Sequence, residues 1–368
     1  MTAPLLVIAA GGTGGHMFPA QALAEALLAR GWRVRLSTDT RGATYTSGYP
    51  KAVAVDVLPS ATFARGGVVA KAMVPFRILG GVLLAVWQFL GDRPMIVVGF
   101  GGYPAIPAIA AALFLRLPRL LHEQNGVPGR VNQFFARRVH MIACGTWPTE
   151  LPKGVTSTYT GNPLRQMVLE RAGAPYTPPG KGRLNLLVLG GSQGSQVVSR
   201  AVLDAIARLP DAVRARLRVS QQARPEDHQH VRERYCTLGI DVEIQSFFAD
   251  ISNRIAASQL VISRAGASSV ADIAVIGRPA VFIPLAQAIR DEQTANARGL
   301  VEVGAAVVVQ EKDLRPELLA RHIKEVLTDP ARAKAMAAAS LSLGRPDAAD
   351  RLAVLVENLS LPQQQTLS

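Results

Sequence analysis

Leu5-Leu6-Val7-Ile8-Ala9-Ala10 runs without a break into Gly11-Gly12-Thr13-Gly14-Gly15-His16. A short, continuous apolar run closed by glycines reads as a buried strand, and the next segment places Ala20, Leu23, Ala24, Leu27 and Leu28 on one helical face before Gly31 ends it. In the second half, Leu184 to Leu189 leads in the same way into Gly190-Gly191-Ser192-Gln193-Gly194-Ser195 and a helical stretch at 197–209. Strand, glycine loop, helix is the opening of a doubly wound α/β domain, and this chain contains two of them.

Outward from these openings, 33–38, 95–99, 119–122 and 260–262 read as further strands, and 177–182 (Thr-Pro-Pro-Gly-Lys-Gly) as a loop. A chain of 368 residues suits two domains better than one core. The expected fold class is therefore α/β, with two Rossmann-like doubly wound domains facing each other across a cleft and the site at the carboxyl ends of the strands. The last helical stretch, 347–359, fits either half by pattern alone.

A net charge of +13 calls for an anionic partner. Nucleic acid is disfavoured, because there is no aromatic RNA-binding motif, no zinc finger and no run of four consecutive Lys or Arg. Anionic lipid or a phosphorylated substrate remains. Residues 78–90 are apolar apart from Gln88, too short a run for the roughly 20 residues of a bilayer span, and the start of the chain lacks a basic leader, so a cytoplasmic protein without a span is expected. The basic, apolar segment from Arg65 to Trp87 suits a peripheral membrane contact, Lys71 and Arg77 meeting headgroups while Val74, Phe76, Ile78, Leu79 and Val82 press into the acyl boundary. Two cysteines, Cys144 and Cys236, with no Cys/His cluster and no Asp-x-Asp pair, predict reduced thiols and no metal.

The first glycine loop is an anion site by construction, since backbone amides and the helix dipole point at whatever lies above Gly11 and Gly12. A dinucleotide fingerprint places a third glycine where Met17 stands, yet Asp39 falls where a ribose-binding acid belongs, so a nicotinamide enzyme stays open at this point. With Pro19 read as the first helical turn, the dipole disfavours an imidazolium at His16 and keeps a neutral base available. His122-Glu123-Gln124-Asn125-Gly126 clusters polar side chains at a strand end. In the second half Ser263-Arg264-Ala265-Gly266-Ala267-Ser268-Ser269 reads as a capped phosphate cradle, with Asp272 one turn on for a ribose diol, and 291–296 offers amides and carboxylates for sugar hydroxyls.

Taken together these segments resemble the MurG family, membrane-associated transferases of N-acetylglucosamine (GlcNAc) in peptidoglycan synthesis. The resemblance rests on Gly11 to His16 with Phe18-Pro19, Gly101-Gly102-Tyr103, His122 to Gly126, Gly161-Asn162-Pro163 with Arg165, Gly190 to Gly194, Arg264 with Gly266-Ala267, and Gln293 with Asn296, in order along nearly the whole chain. It implies a GT-B fold with an acceptor domain over 1–162, a UDP-GlcNAc domain over 163–344 and a final helix at about 345–360 packing back on the first. UDP-GlcNAc is then the donor substrate, and lipid I (undecaprenyl-pyrophosphoryl-MurNAc-pentapeptide) the acceptor. The implied donor contacts are Asn125, Arg165, Ser192, Ala267, Ser268 and Gln293, with Thr13, Gly14 and Gly15 closing over them and Phe248 against the uracil. Gly11, Gly12 and Tyr103 fall to the acceptor and its diphosphate; His16 and Glu123 are the catalytic candidates. Asp272 stands where the family carries Glu. The implied place is the cytoplasmic face of the inner membrane, among anionic lipids and other cell-wall synthesis proteins. Spacing alone does not separate GlcNAc from another sugar.

Overall fold

The computed structural model describes residues 3–61, 72–191 and 194–361. The chain forms two compact units: Met1–Arg165 with Asp347–Ser368, and Gln166–Pro346.

In the first unit seven strands, β1 (Leu5–Ala9), β2 (Arg33–Thr38), β3 (Ala54–Val57), β4 (Ile96–Gly99), β5 (Arg119–Glu123), β6 (Met141–Cys144) and β7 (Ser157–Tyr159), form a parallel sheet in the order β3-β2-β1-β4-β5-β6-β7. β1 is apolar at every position because both faces are covered. Leu6 and Ile8 pack with Leu23 and Leu27 of the helix Gly14–Ala29, while Val7 and Ala9 pack with Ala85, Phe89, Ala108 and Ile109 on the other side. The chain moves from β1 out to β3 and returns to the other side of β1 with β4. That reversal makes a topological switch point, at which the loops carrying Gly11 and Gly101 leave adjacent strand ends.

The helix Gly14–Ala29 begins well before Pro19, which lies inside it. Thr13 is extended (φ −146°, ψ 158°) and the helix starts directly behind it. His16 therefore sits on the first turn itself. The helix Ala348–Ser360 belongs to this unit: Leu352, Ala353 and Val356 join the Leu23 and Leu27 core, and Arg30 pairs with Asp350 at 2.9 Å and Glu357 at 2.8 Å.

The short apolar run near residue 80 is part of an 18-residue helix, Val74–Gly91, with Pro75 in its first turn. By length and composition alone it is long and apolar enough to cross a membrane. One side, through Ala85 and Phe89, is core. The other carries an exposed stripe of Phe76 (68% exposed), Leu79, Leu83, Trp87 (73%) and Leu90 at helical spacing. Val74, expected to face outward, is buried, and Ile78 and Val82 are half-buried. Arg65 and Lys71 lie outside the described residues.

The second unit repeats the plan with six parallel strands, β8 (Leu184–Leu189), β9 (Leu217–Gln222), β10 (Asp241–Gln245), β11 (Leu260–Ser263), β12 (Ala280–Phe282) and β13 (Ala306–Val308), ordered β10-β9-β8-β11-β12-β13. Its switch point lies between β8 and β11. Buried Arg278 ties the backs of two helices together. It donates to the carbonyls of Ala256 at 3.0 Å and Ile276 at 2.8 Å, ending the helices Ile251–Ala257 and Ala267–Ile276, and to Ala174 and Pro175 at 3.0 Å each. These bonds satisfy last-turn carbonyls and fix the helix that points its other end at the switch point.

Candidate active site

At the first switch point Gly11 has no room for a side chain: a Cβ there meets Pro104 Cβ at 2.7 Å and Asp39 Oδ1 at 2.8 Å. No side chain caps the helix Gly14–Ala29 at Thr13; the His16 and Met17 amides bond the Thr13 carbonyl at 3.2 Å each, and the Gly14 and Gly15 amides stand at the helix start. Nδ1 of His16 lies 3.2 Å from the Gly11 carbonyl oxygen. A carbonyl only accepts, so Nδ1 carries the proton and Nε2 keeps its lone pair. Burial holds this imidazole below its ordinary 6.5, with the Gly11 hydrogen bond pulling the other way. Desolvation thus favours the neutral base.

Asp39 is occupied by the protein. Its Oδ1 accepts the Gly42 amide at 2.8 Å, capping the short helix Thr40–Ala43, and its Oδ2 accepts the Tyr103 hydroxyl at 2.8 Å. Both oxygens thus have protein donors, which gives Asp39 a structural role in the loop, and Tyr103 reaches the first loop through Asp39.

The polar cluster after β5 is a buried network. His122 donates from Nε2 to the Gly161 carbonyl at 3.2 Å and accepts at Nδ1 from Gln124 Nε2 at 3.2 Å. Burial drives its pKa down to about 4, so it too is neutral. Asn162 donates to the Gln124 carbonyl at 3.1 Å, joining the Gly161-Asn162-Pro163 turn to this network. Arg165, just beyond, stacks over the Phe18 ring at 5.2 Å, on the helix of the first loop. Glu123 is enclosed. Its Oε1 accepts from the Asn125 amide at 3.0 Å and Asn125 Nδ2 at 3.2 Å, and its Oε2 from the Gly129 amide at 3.0 Å and Asn132 Nδ2 at 2.8 Å. Burial raises its pKa and these four bonds oppose the rise. Asn132 was missed by sequence reasoning, since nothing in its spacing marks it. Only the return of the helix Arg130–Phe135 brings it to Glu123.

In the second unit Ser192 lies outside the described residues. Gly190 admits no Cβ, which meets the Ser195 amide nitrogen at 2.4 Å. Ser195 caps the helix Gln196–Ile206 through the Val198 amide at 3.3 Å, and Arg264 Nη2 donates to the same hydroxyl at 2.8 Å. Arg264 also reaches the Ile283 and Pro284 carbonyls at 3.0 Å and Glu311 at 2.5 Å, bracing the ends of β8, β11 and β12. The helix Ala267–Ile276 starts differently. Its N-cap is Gly266 and no side chain caps it, so the expected serine capping is absent and the amides at Ala267 and Ser268 face outward from the helix start. Asp272 is buried on its second turn. Gln293 accepts the Leu285 amide at 3.0 Å, and Asn296 donates to the Ala265 carbonyl at 3.0 Å. Phe248, expected against the uracil, is 3% exposed with the Arg254 guanidinium 4.2 Å over its ring, whereas neighbouring Phe247 is 68% exposed.

Residues 6–144 match the glycosyltransferase family 28 N-terminal domain and residues 185–352 its C-terminal domain. Two curated relatives are named UDP-N-acetylglucosamine--N-acetylmuramyl-(pentapeptide) pyrophosphoryl-undecaprenol N-acetylglucosamine transferase. That of Allorhizobium ampelinum is 46% identical over 361 residues, spanning 98% of this chain and 96% of the relative. That of Rhizobium meliloti is 44% identical over 358 residues, spanning 97% and 96%. Among solved structures, Acinetobacter baumannii MurG superposes with a TM-score of 0.79 at 27% identity over 96% of this chain and 99% of its own. The calicheamicin glycosyltransferase CalG4, 16% identical with a TM-score of 0.64 over 98% of each chain, shares the fold.

Proposed function

The chain belongs to glycosyltransferase family 28 and, within it, to the MurG family, and from that membership we infer that it transfers GlcNAc from UDP-GlcNAc to the 4-hydroxyl of MurNAc in lipid I, forming lipid II. The observation that carries the chemistry is the 3.2 Å contact between His16 Nδ1 and the Gly11 carbonyl. In this proposal Nε2 takes the proton of the acceptor hydroxyl as its oxygen attacks the anomeric carbon. The bond from that carbon to UDP breaks, the configuration inverts from α to β, and UDP departs with the bonding electrons.

Negative charge then grows on the leaving diphosphate. Amides at the uncapped start of the helix Ala267–Ile276, with Ser268, meet that charge and favour the transition state. Asp272 is assigned to the ribose and Gln293 to the sugar; Asn125, Arg165 and the Thr13 to Gly15 amides are further donor contacts. Glu123, with both oxygens engaged, holds the Asn125–Gly129 loop, and base catalysis falls to His16. UDP release with a short-chain lipid I analogue, comparing UDP-GlcNAc, UDP-GalNAc and UDP-glucose, tests the reading. Absence of GlcNAc transfer overturns it.

The same proposal places the enzyme peripherally on the cytoplasmic membrane face, the stripe of Phe76, Leu79, Leu83, Trp87 and Leu90 entering the acyl boundary and Arg77 meeting anionic headgroups. Replacing Phe76, Leu79, Leu83 and Trp87 together by Ser should abolish binding to anionic vesicles while a soluble acceptor analogue is still turned over. A folded variant that still binds vesicles normally removes the membrane role.

A further inference from the structure

Gln293, on the first turn of the helix Glu292–Glu302, is held at one end. Its Oε1 accepts the Leu285 amide at 3.0 Å, which fixes the side-chain amide so that Nε2 is the donor end presented to a ligand. The chain enters this helix through two residues in the left-handed region, Arg290 (φ 56°, ψ 32°) and Asp291 (φ 53°, ψ 36°). Neither is glycine, so both conformations must be imposed by their surroundings. The restraint is visible. Asp291 Oδ1 accepts the Thr294 hydroxyl at 2.7 Å, and the Thr294 oxygen accepts Gln310 Nε2 at 2.8 Å. Gln310 follows β13, so a relay runs from the sheet through Thr294 to the strained turn and sets where Gln293 begins.

We propose that Gln310, Thr294 and Asp291 are positioning residues that hold Gln293 against the donor sugar, a reading that rests on the assignment of Gln293 as a donor contact. None of the three touches the donor in this scheme; each acts through the placement of its neighbour. Strained backbone persists where the surroundings over-determine it, and it concentrates at ligand clamps. A relay from the sheet to a strained turn beside a ligand-facing amide has that form.

The test is a mutant cycle in the full-length enzyme, read as donor KM and kcat by UDP release and as UDP-GlcNAc affinity by calorimetry. Thr294→Val keeps the volume and removes the hydroxyl; it should raise donor KM about five-fold with kcat at saturating donor nearly unchanged. Thr294→Ser should restore KM. In a Gln293→Ala background the Thr294→Val effect should vanish, because the relay then has nothing to place. An unchanged KM in a Thr294→Val enzyme of normal Tm overturns the relay and leaves the Gln293 assignment standing. An equal effect in both backgrounds also overturns it, assigning Thr294 to general stability. A Gln293→Ala enzyme with normal donor KM overturns the donor-contact assignment, and the relay falls with it.

Discussion

The loops after β1 and β8 open alike and close differently. Behind the first, Thr13 offers no side-chain cap and His16 stands on the first turn. Behind the second, Ser195 closes the helix with its own hydroxyl and is locked there by buried Arg264. The second unit has moved its uncapped helix start across the switch point, to Gly266 at the end of β11. The twin openings are therefore not twin sites. In the proposed scheme one motif builds a reactive corner in the first unit and a brace in the second, where an adjacent helix presents its amides instead.

This contrast can be broken in four ways. The largest expected effect is at the reactive corner: His16→Ala should lower kcat by roughly 10² or more, the usual scale for losing a general base, with UDP-GlcNAc affinity intact by calorimetry. Near-normal turnover would erase the distinction between the loops. Next is the uncapped helix, where Gly266→Asp fits, since a Cβ there has nothing within 4 Å. The new carboxylate should cap the amides and weaken donor binding about ten-fold while the fold gains a few tenths of a kcal/mol. Tighter or unchanged donor binding would show that those amides do not meet the diphosphate. Ser195→Ala should do the reverse: chemical denaturation should reveal a loss of about 1–2 kcal/mol, from the cap and the deprived Arg264 donor, with a smaller change in donor KM.

The smallest effect is a slope. His16 and His122 both have folded-state pKa values below 6.5, His122 at about 4, so the unfolded chain binds more protons once the pH falls below 6.5. Stability contributed by the neutral rings is fully present above pH 6.5 and is lost as pH falls toward 4. The acid limb of kcat/KM should likewise lie below pH 6.5. Thermal melts of His122→Gln across this range should show a shallower slope than the parent, and an identical slope would contradict a depressed His122.

Much of this was legible in the residues, and the failures have physical causes. The strands could be read because parallel strands buried on both faces are unbroken apolar runs, as at 5–9 and 184–189. The start of the first helix was misplaced because Gly14 and Gly15 are weak helix formers, and Pro19 resembles a first-turn proline whichever turn it occupies. Phe247 and Phe248 are chemically identical in sequence; only the course of the chain after β10 turns one inward under Arg254. The enclosure of Glu123 could not be read, because burial and four donors are tertiary facts, two of them supplied by Gly129 and Asn132 from beyond the motif. The apolar stripe appeared shorter than the helix that carries it, since Arg77 interrupts the run without interrupting the helix.

The helix Ala348–Ser360 packs on Leu23 and Leu27 of the unit that contains β1, although the whole second unit lies between them in sequence. Synthesis therefore delivers the two units out of order. Residues 166–346 are complete while the earlier unit still lacks the helix that seals one side of its core. Until Leu352 and Val356 arrive, that side of the sheet is an apolar surface awaiting its cover, so the half that begins first is the half that finishes last.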